Sequence, residues 1–235
     1  MLEHCILITD VNHYLTADAL ALCHAHFSRV TLVDENDAAI AGGLSEVTRC
    51  DLLISFLNAR ILPPSLLRFA NINFHPAPPE HPGRGGASYA LHESAPTYGA
   101  TAHIMAERVD AGTILLVDEF PIDTYDSCET LFAKAERSCL DLLARALSTF
   151  SKIGQLPSPN GMNWGRKPGT RKQFIEWLVL DPSDRDSFDR KLVAAYHSRF
   201  AGPYVIVHGL KFGLVNDDNT RTAVRTLREK LKTKR

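Results

Sequence analysis

The chain lacks an excess of charge of either sign: 26 lysines and arginines stand against 27 aspartates and glutamates, a formal net charge of −1. No global field therefore draws it to nucleic acid or to an anionic membrane, and any such partner would have to be met locally. No apolar run approaches the roughly 20 residues a bilayer span needs, and the N-terminus has no basic region ahead of a long apolar one, so the reading excludes a membrane and places the protein in the cytoplasm. Cysteine is present but unpaired in pattern. Cys5, Cys23, Cys50, Cys128 and Cys139 are odd in number, scattered, without a Cys-x-x-Cys, and mostly set in apolar segments. That argues against a disulfide framework or zinc site and for small core residues in a reducing compartment. Internal repeats and low-complexity tracts are missing too.

What is present is an ordinary globular composition, 45% hydrophobic and 23% charged, in an alternation of apolar runs and helical spacings. His4–Asp10 reads as a buried parallel strand, and Thr16–Phe27 as a helix capped by Thr16. Val30–Asp34 and Asp51–Leu57 read as further strands, Ser65–Phe69 as a short helix after Pro63-Pro64, and Ile72–His75 as another strand. Such alternation implies an α/β fold, a mainly parallel sheet with helices on its faces. Tyr98–Ala106 and Thr113–Phe120 then read as an antiparallel extension, two extended runs paired around the turn-bearing Asp110-Ala111-Gly112. Ser127–Ile153 has the spacing of a long amphipathic helix, with Gly154 as its stop. Residues 1–154 are thus expected to form one domain. Residues 155–235 are expected to form a linker and C-terminal extension, with a helix over Asp186–Arg199 and a hairpin over Pro203–Leu214 turning at His208-Gly209.

The chemistry gathers between residues 71 and 113. Asn73, His75 and Asp110 are an amide, an imidazole and a carboxylate at strand ends and in loops, where reactive groups are commonly positioned. Attack of a neutral nucleophile on a carbonyl develops negative charge on oxygen and positive charge on the attacking atom. It needs fixed donors near the first and a proton acceptor near the second. Asn73 can offer its amide N–H, His75 can shuttle a proton near neutral pH, and Asp110 can fix the imidazole tautomer or move a proton through a water. His24-x-His26 lies on a predicted helix two positions apart, a spacing that points the rings away from each other, and His75, His81 and His92 are irregularly spaced. No metal is assigned.

Over residues 50–122 the chain resembles the folate-dependent formyltransferase family, in which a formyl group passes from N10-formyltetrahydrofolate to a primary amine. Three elements carry the resemblance in order: Ala59-Arg60-Ile61-Leu62-Pro63, Asn73-Phe74-His75-Pro76 and Val109-Asp110-Ala111-Gly112. It implies a Rossmann-like formyltransferase fold and Asn73, His75 and Asp110 as catalytic residues. It also implies a pterin pocket made by Arg60, Ile61 and Leu62 together with Glu107, Arg108 and Val109, the latter through their main chain. N10-formyltetrahydrofolate is then the co-substrate.

Where the chain departs from the family, the acceptor is what changes. Asn73 comes early, as though one strand–helix unit were abbreviated. Thr9-Asp10-Val11-Asn12-His13 lacks the glycine-rich phosphate cradle of the glycinamide ribonucleotide enzyme, and Ala77-Pro78-Pro79-Glu80 replaces a Ser-Leu-Leu-Pro. Asn163-Trp164-Gly165-Arg166-Lys167-Pro168 is similar to the segment after the catalytic domain in short family members acting on amino-sugars. Trp164 and Arg166 could stack on and pair with a nucleotide diphosphate, and Arg84, in the loop Gly83-Arg84-Gly85-Gly86, could meet an anionic acceptor. The expected acceptor is a nucleotide-linked amino-sugar. The alternatives are another small amine, hydrolysis of formyltetrahydrofolate, or a folate-binding relative without turnover. Arg221, Arg225, Arg228, Lys230, Lys232, Lys234 and Arg235 form a basic tail read as a solvated helix end, and the apolar strand Tyr204–Val207 suggests a homodimer.

Overall fold

In the computed structural model, which describes residues 2–200 and 202–233, the elements follow one another as β1 (Leu2–Thr9), α1 (Thr16–His26), β2 (Phe27–Asp34), α2 (Ala38–Ala41) and β3 (Leu52–Phe56). A 3-10 turn (Pro64–Arg68) leads to β4 (Asn71–His75), α3 (Gly86–Glu93), β5 (Thr97–His103), β6 (Ile114–Pro121) and α4 (Cys128–Ile153). Then come α5 (Arg171–Trp177), α6 (Arg185–Ala195), β7 (Tyr204–Val207), β8 (Leu210–Gly213) and α7 (Asp218–Thr233). Six strands form one sheet in the order β2-β1-β3-β4-β5-β6. β2, β1, β3 and β4 are parallel, β5 runs antiparallel to β4, and β6 lies beside β5. The expected mainly parallel sheet with an antiparallel extension is what forms.

The chain divides into two compact units. The first comprises residues up to Pro82, Gly99–Glu119 and Lys134–Pro168. The second comprises Gly83–Tyr98, Phe120–Ala133 and the residues from Gly169 on.

In the first unit the strands read as continuous apolar runs because both faces are covered. The two-residue period sorts them. Cys5 and Leu7 join Leu15, Ala19 and Cys23 of α1, Ile72 and Phe74 of β4, and Cys139, Leu143 and Leu147 of α4 in one cluster. Ile6, Ile8 and Leu53 point the other way, into a smaller cluster with Val33, Ile40, Leu66 and Phe69. Each fully buried side chain of this size contributes about 1.5–3 kcal/mol, which fixes the strand register against a slip. Because Ile72 and Phe74 take the first face, Asn73 and His75 take the second. Thr16 is not a cap: it lies inside α1, buried, with its hydroxyl donating to the Asp10 carbonyl at 2.7 Å, and the capping position is Leu15. All five cysteines are free thiols, Cys50 being the one that is partly exposed.

The second unit holds two short helices that the pattern of apolar residues did not announce. α3 begins at Gly83-Arg84-Gly85, where both glycines have positive φ, 82° and 87°, and ends on the left-handed Ser94. α5 is opened by a capping box in which Thr170 accepts from the Gln173 backbone and the Gln173 side chain accepts from the Thr170 backbone. Tyr89 of α3 meets Phe174 and Trp177 of α5 at ring distances of 5.9 and 4.8 Å, and His92 sits edge-on to Trp177 at 5.4 Å. β7 and β8 form a hairpin turning at His208-Gly209, as expected, with φ of 49° and 78° that suit a tight primed turn. Tyr204 is buried, while Ile206, Val207, Leu210 and Phe212 are exposed. Of the basic tail, Arg221, Arg225, Arg228, Lys230 and Lys232 lie on α7, whereas Lys234 and Arg235 fall outside the described residues.

Candidate active site

His75 is the last residue of β4, on the carboxyl side of the parallel strands, where α/β sheets bind ligands. Asn73 sits two residues earlier on the same face. The antiparallel pairing of β4 with β5 places Asn73 opposite His103 and His75 opposite Thr101, so four polar side chains share one patch of the sheet. Asn73 Nδ2 lies 3.0 Å from His103 Nε2, and Thr101 donates its hydroxyl to the Ala77 carbonyl at 2.8 Å.

The segment between β5 and β6 brings the carboxylate. It closes on itself, Ile104 N–H donating to Thr113 O at 2.9 Å, and Asn71 pins its start by accepting from Met105 N–H at 2.8 Å. Gly112 packs so tightly against Ile104 that a Cβ there would fall 1.7 Å from the Ile104 oxygen. The loop thereby turns Asp110 inward with φ at 42°, a left-handed conformation that aspartate tolerates better than most residues. Asp110 is 5% exposed, its Oδ2 lying 3.4 Å from His75 Nδ1 and its Oδ1 3.3 Å from His103 Nε2. An acid is held between two imidazoles, one of which also touches the Asn73 amide.

The expected residues are distributed unevenly around this centre. Asn73, His75 and Asp110 come together. Trp164, from the segment after α4, covers the pair of imidazoles, its ring 5.0 Å from His103 and 6.3 Å from His75, and donates Nε1–H to Gly112 O at 2.8 Å. Arg166 lies along the Pro79–His81 turn, donating Nε–H to Glu80 O at 2.6 Å and reaching His81 Nδ1 at 3.2 Å, while Gly165 N–H donates to Pro79 O. Arg60 turns its guanidinium onto Asn36 Oδ1, Ile61 is 77% exposed, and Leu62 packs on the smaller apolar cluster. Glu107, Arg108 and Val109 are all exposed. Arg84 belongs to the second unit, exposed, with its main-chain N–H on Gly169 O. Among the described residues no set of three or more His, Cys, Asp or Glu side chains is grouped as metal ligands. No helix among them is long and apolar enough to cross a membrane.

Sequence reasoning missed His103. Its signal lay in the alternation of Tyr98–Ala106, where Thr101 and His103 fall on the polar phase, but only the strand register reveals that this phase faces Asn73.

The chain resembles known proteins in sequence and in fold. A family model described as formyl transferase matches residues 18–147. The methionyl-tRNA formyltransferase of Listeria monocytogenes serotype 4a (strain HCC23) is 31% identical over 134 residues, 54% of this chain and 43% of that protein. The chain therefore spans less than half the length of that relative. Among solved structures, a 4-N formyltransferase from Francisella tularensis superposes with a TM-score of 0.72 at 17% identity, over 90% of this chain and 96% of that one. An N-formyltransferase from Helicobacter canadensis, in complex with folinic acid and dTDP-3-aminofucose, superposes with a TM-score of 0.64 at 14% identity, over 90% and 86%. At these identities the structural likeness is one of fold.

Proposed function

The chain belongs to the formyl transferase family, and on that premise we propose that it transfers the formyl group of N10-formyltetrahydrofolate to the primary amine of a nucleotide-linked amino-sugar. The observation that carries this reading is the meeting of Asn73, His75 and Asp110 on one face of the sheet, two of them from a strand end and the third from a closed loop.

The amine nitrogen attacks the formyl carbon, a C–N bond forms, and the carbonyl oxygen takes up the negative charge. Asn73 supplies an N–H to that oxygen. The attacking nitrogen gives up a proton to the His75–Asp110 pair, the bond from the formyl carbon to N10 breaks, and N10 receives a proton as tetrahydrofolate leaves. No side chain becomes acylated, which fits a site without a serine or cysteine at its centre. Ile61, 77% exposed, and Val109, 43% exposed, are large apolar side chains on the two loops flanking the strand ends, and a flat pterin ring would cover them. Leu62 and Met105 anchor both loops to the same apolar cluster.

For the acceptor, the formyltransferase fold neighbours that act on sugars speak for an amino-sugar, and the dTDP-3-aminofucose bound by one of them speaks for a nucleotide-linked one. The balanced charge of −1 speaks against tRNA, the acceptor named for the sequence relatives. A cytoplasmic setting accords with five free thiols. A second copy of the chain is the partner we assign to the exposed Ile206, Val207, Leu210 and Phe212 of the hairpin, to be checked by the mass in solution.

The test is turnover of N10-formyltetrahydrofolate with purified protein and a panel of nucleotide amino-sugars, other small amines and methionyl-tRNA. Tetrahydrofolate and a formylated nucleotide sugar in equal amounts are expected. Tetrahydrofolate release without any amine would identify a hydrolase, and formylated methionyl-tRNA would overturn the acceptor. Folate binding without product from any arm would leave only a binding protein.

A further inference from the structure

Resting on that reading, we propose that His103 is a positioning residue that aims the Asn73 amide at the formyl oxygen. Its Nδ1 lies 2.8 Å from the carbonyl oxygen of Ile104. A carbonyl only accepts, so Nδ1 carries a hydrogen whether the ring is neutral or charged. All variation is left to Nε2. In the neutral ring Nε2 is a bare acceptor, and its partner at 3.0 Å is Asn73 Nδ2. One N–H of the amide is thereby committed to His103, the amide plane is set, and the second N–H is the one left for substrate.

A proton on Nε2 reverses this. The ring then donates to Asp110 Oδ1, 3.3 Å away, and offers nothing to an amide N–H, so the Asn73 amide must turn over or withdraw. The groups facing His103 are Asp110 from the loop before β6, Asn73 from β4 and, behind Asp110, His75, also from β4. The Trp164 ring closes the remaining side edge-on, at 5.0 Å and 87°, and the His103 side chain is 3% exposed. A neutral histidine with a fixed tautomer, buried beneath an indole, bears on the reaction through the Asn73 amide that its Nε2 accepts from.

The experiment is a double-mutant cycle read as kcat, with KM for the formyl donor, in His103→Ala, Asn73→Ala and the double variant, each checked for folding by thermal unfolding. Loss of an oxyanion donor costs about a hundred- to a thousandfold, and a misaimed one is expected to cost about ten- to a hundredfold, with donor KM within about threefold. The expected result is that His103→Ala has no further effect once Asn73 is alanine, because the residues act as one unit. Effects that multiply would overturn the proposal. His103→Gln, which restores an acceptor near the Nε2 position, is expected to recover part of the lost rate. No recovery over alanine would count against the proposal.

Nitrogen-15 NMR of the imidazoles in the native protein at pH 8 reads the tautomer without any turnover. A hydrogen on Nδ1 and none on Nε2 is expected, and the reverse would refute the proposal even if the protein transfers no formyl group. If the tautomer is as expected and turnover is absent, the functional reading fails and the positioning geometry stands.

Discussion

Replacing Asp110 by asparagine isolates the charge of the carboxylate from its shape. The side chain keeps its size, and asparagine accepts the left-handed backbone at φ 42° as readily as aspartate does. Alanine would add about 1–2 kcal/mol of strain there and blur the reading. The contact to His75 survives in hydrogen-bonding terms, with the new carbonyl oxygen in the 3.4 Å place beside His75 Nδ1, while the new amide nitrogen, 3.3 Å from His103 Nε2, shares that nitrogen's one lone pair with Asn73. What disappears is the anion that, in the proposed transfer, receives the amine proton together with His75. A positioned acid–base group contributes about a hundred- to ten-thousandfold, and a loss in the lower part of that range, about two to three decades, is expected here because Asn73 remains as the proposed oxyanion donor. Two to three decades in kcat correspond to about 2.7–4 kcal/mol on the barrier. Tetrahydrofolate formation at saturating donor and amine measures it, with thermal unfolding as the control. A correctly folded Asp110→Asn enzyme running within threefold of the native rate would refute the role given to the carboxylate.

Three further outcomes rest on the packing. Gly112→Ala forces a Cβ into the Ile104 carbonyl, so the loop that carries Asp110 must shift; a loss of about 1–3 kcal/mol of stability and a fall in kcat of at least tenfold are expected together. An unchanged Tm would show that the loop yields freely. Trp164→Phe keeps a ring over the imidazoles but loses the bond to Gly112 O, and should cost about 1 kcal/mol by denaturant unfolding. His92, whose Nε2 is buried with no hydrogen-bond partner among the described residues, has its pKa lowered by burial and then by Arg190 and Lys191, against a weaker opposing pull from Glu93. A histidine depressed in the folded state leaves stability intact above its unfolded value of about 6.5 and loses it as the pH falls below that, because the unfolded chain then binds the proton the folded one refuses. His92→Phe should flatten the decline in Tm between pH 7 and 5, and an unaltered slope would assign the acid sensitivity elsewhere.

The strength of each sequence expectation tracked whether its physical cause was local. β1 and β3 carry continuous apolar runs, β4 alternates polar and apolar residues, and Asn73 and His75 were placed by that two-residue parity, so all could be read directly. Asp110 was legible as a turn residue before a glycine. α5 was overlooked although its capping box, Thr170 to Gln173, is a local signal that could have been read, whereas α3, with Gly86, Ser88 and Tyr89 in its first turn, has little helix preference of its own and is held by Tyr89 against Phe174 and Trp177. Trp164 and Arg166 read as acceptor-binding from a resemblance; that they also bond to Gly112 and Glu80, 52 and 86 positions away, is a matter of tertiary folding that no local pattern shows.

His103 is the sharpest case. On its own strand it is merely the polar phase of an alternation, and its chemistry depends on β5 pairing antiparallel to β4 in the one register that sets it across from Asn73. A slip of one residue would turn its side chain to the opposite face, against α4, and leave Asn73 without a partner. The apolar Ala100 and Ala102, which must enter the larger cluster, are what forbid that slip. The orientation of the Asn73 amide is therefore set by two alanines on the opposite face of the sheet.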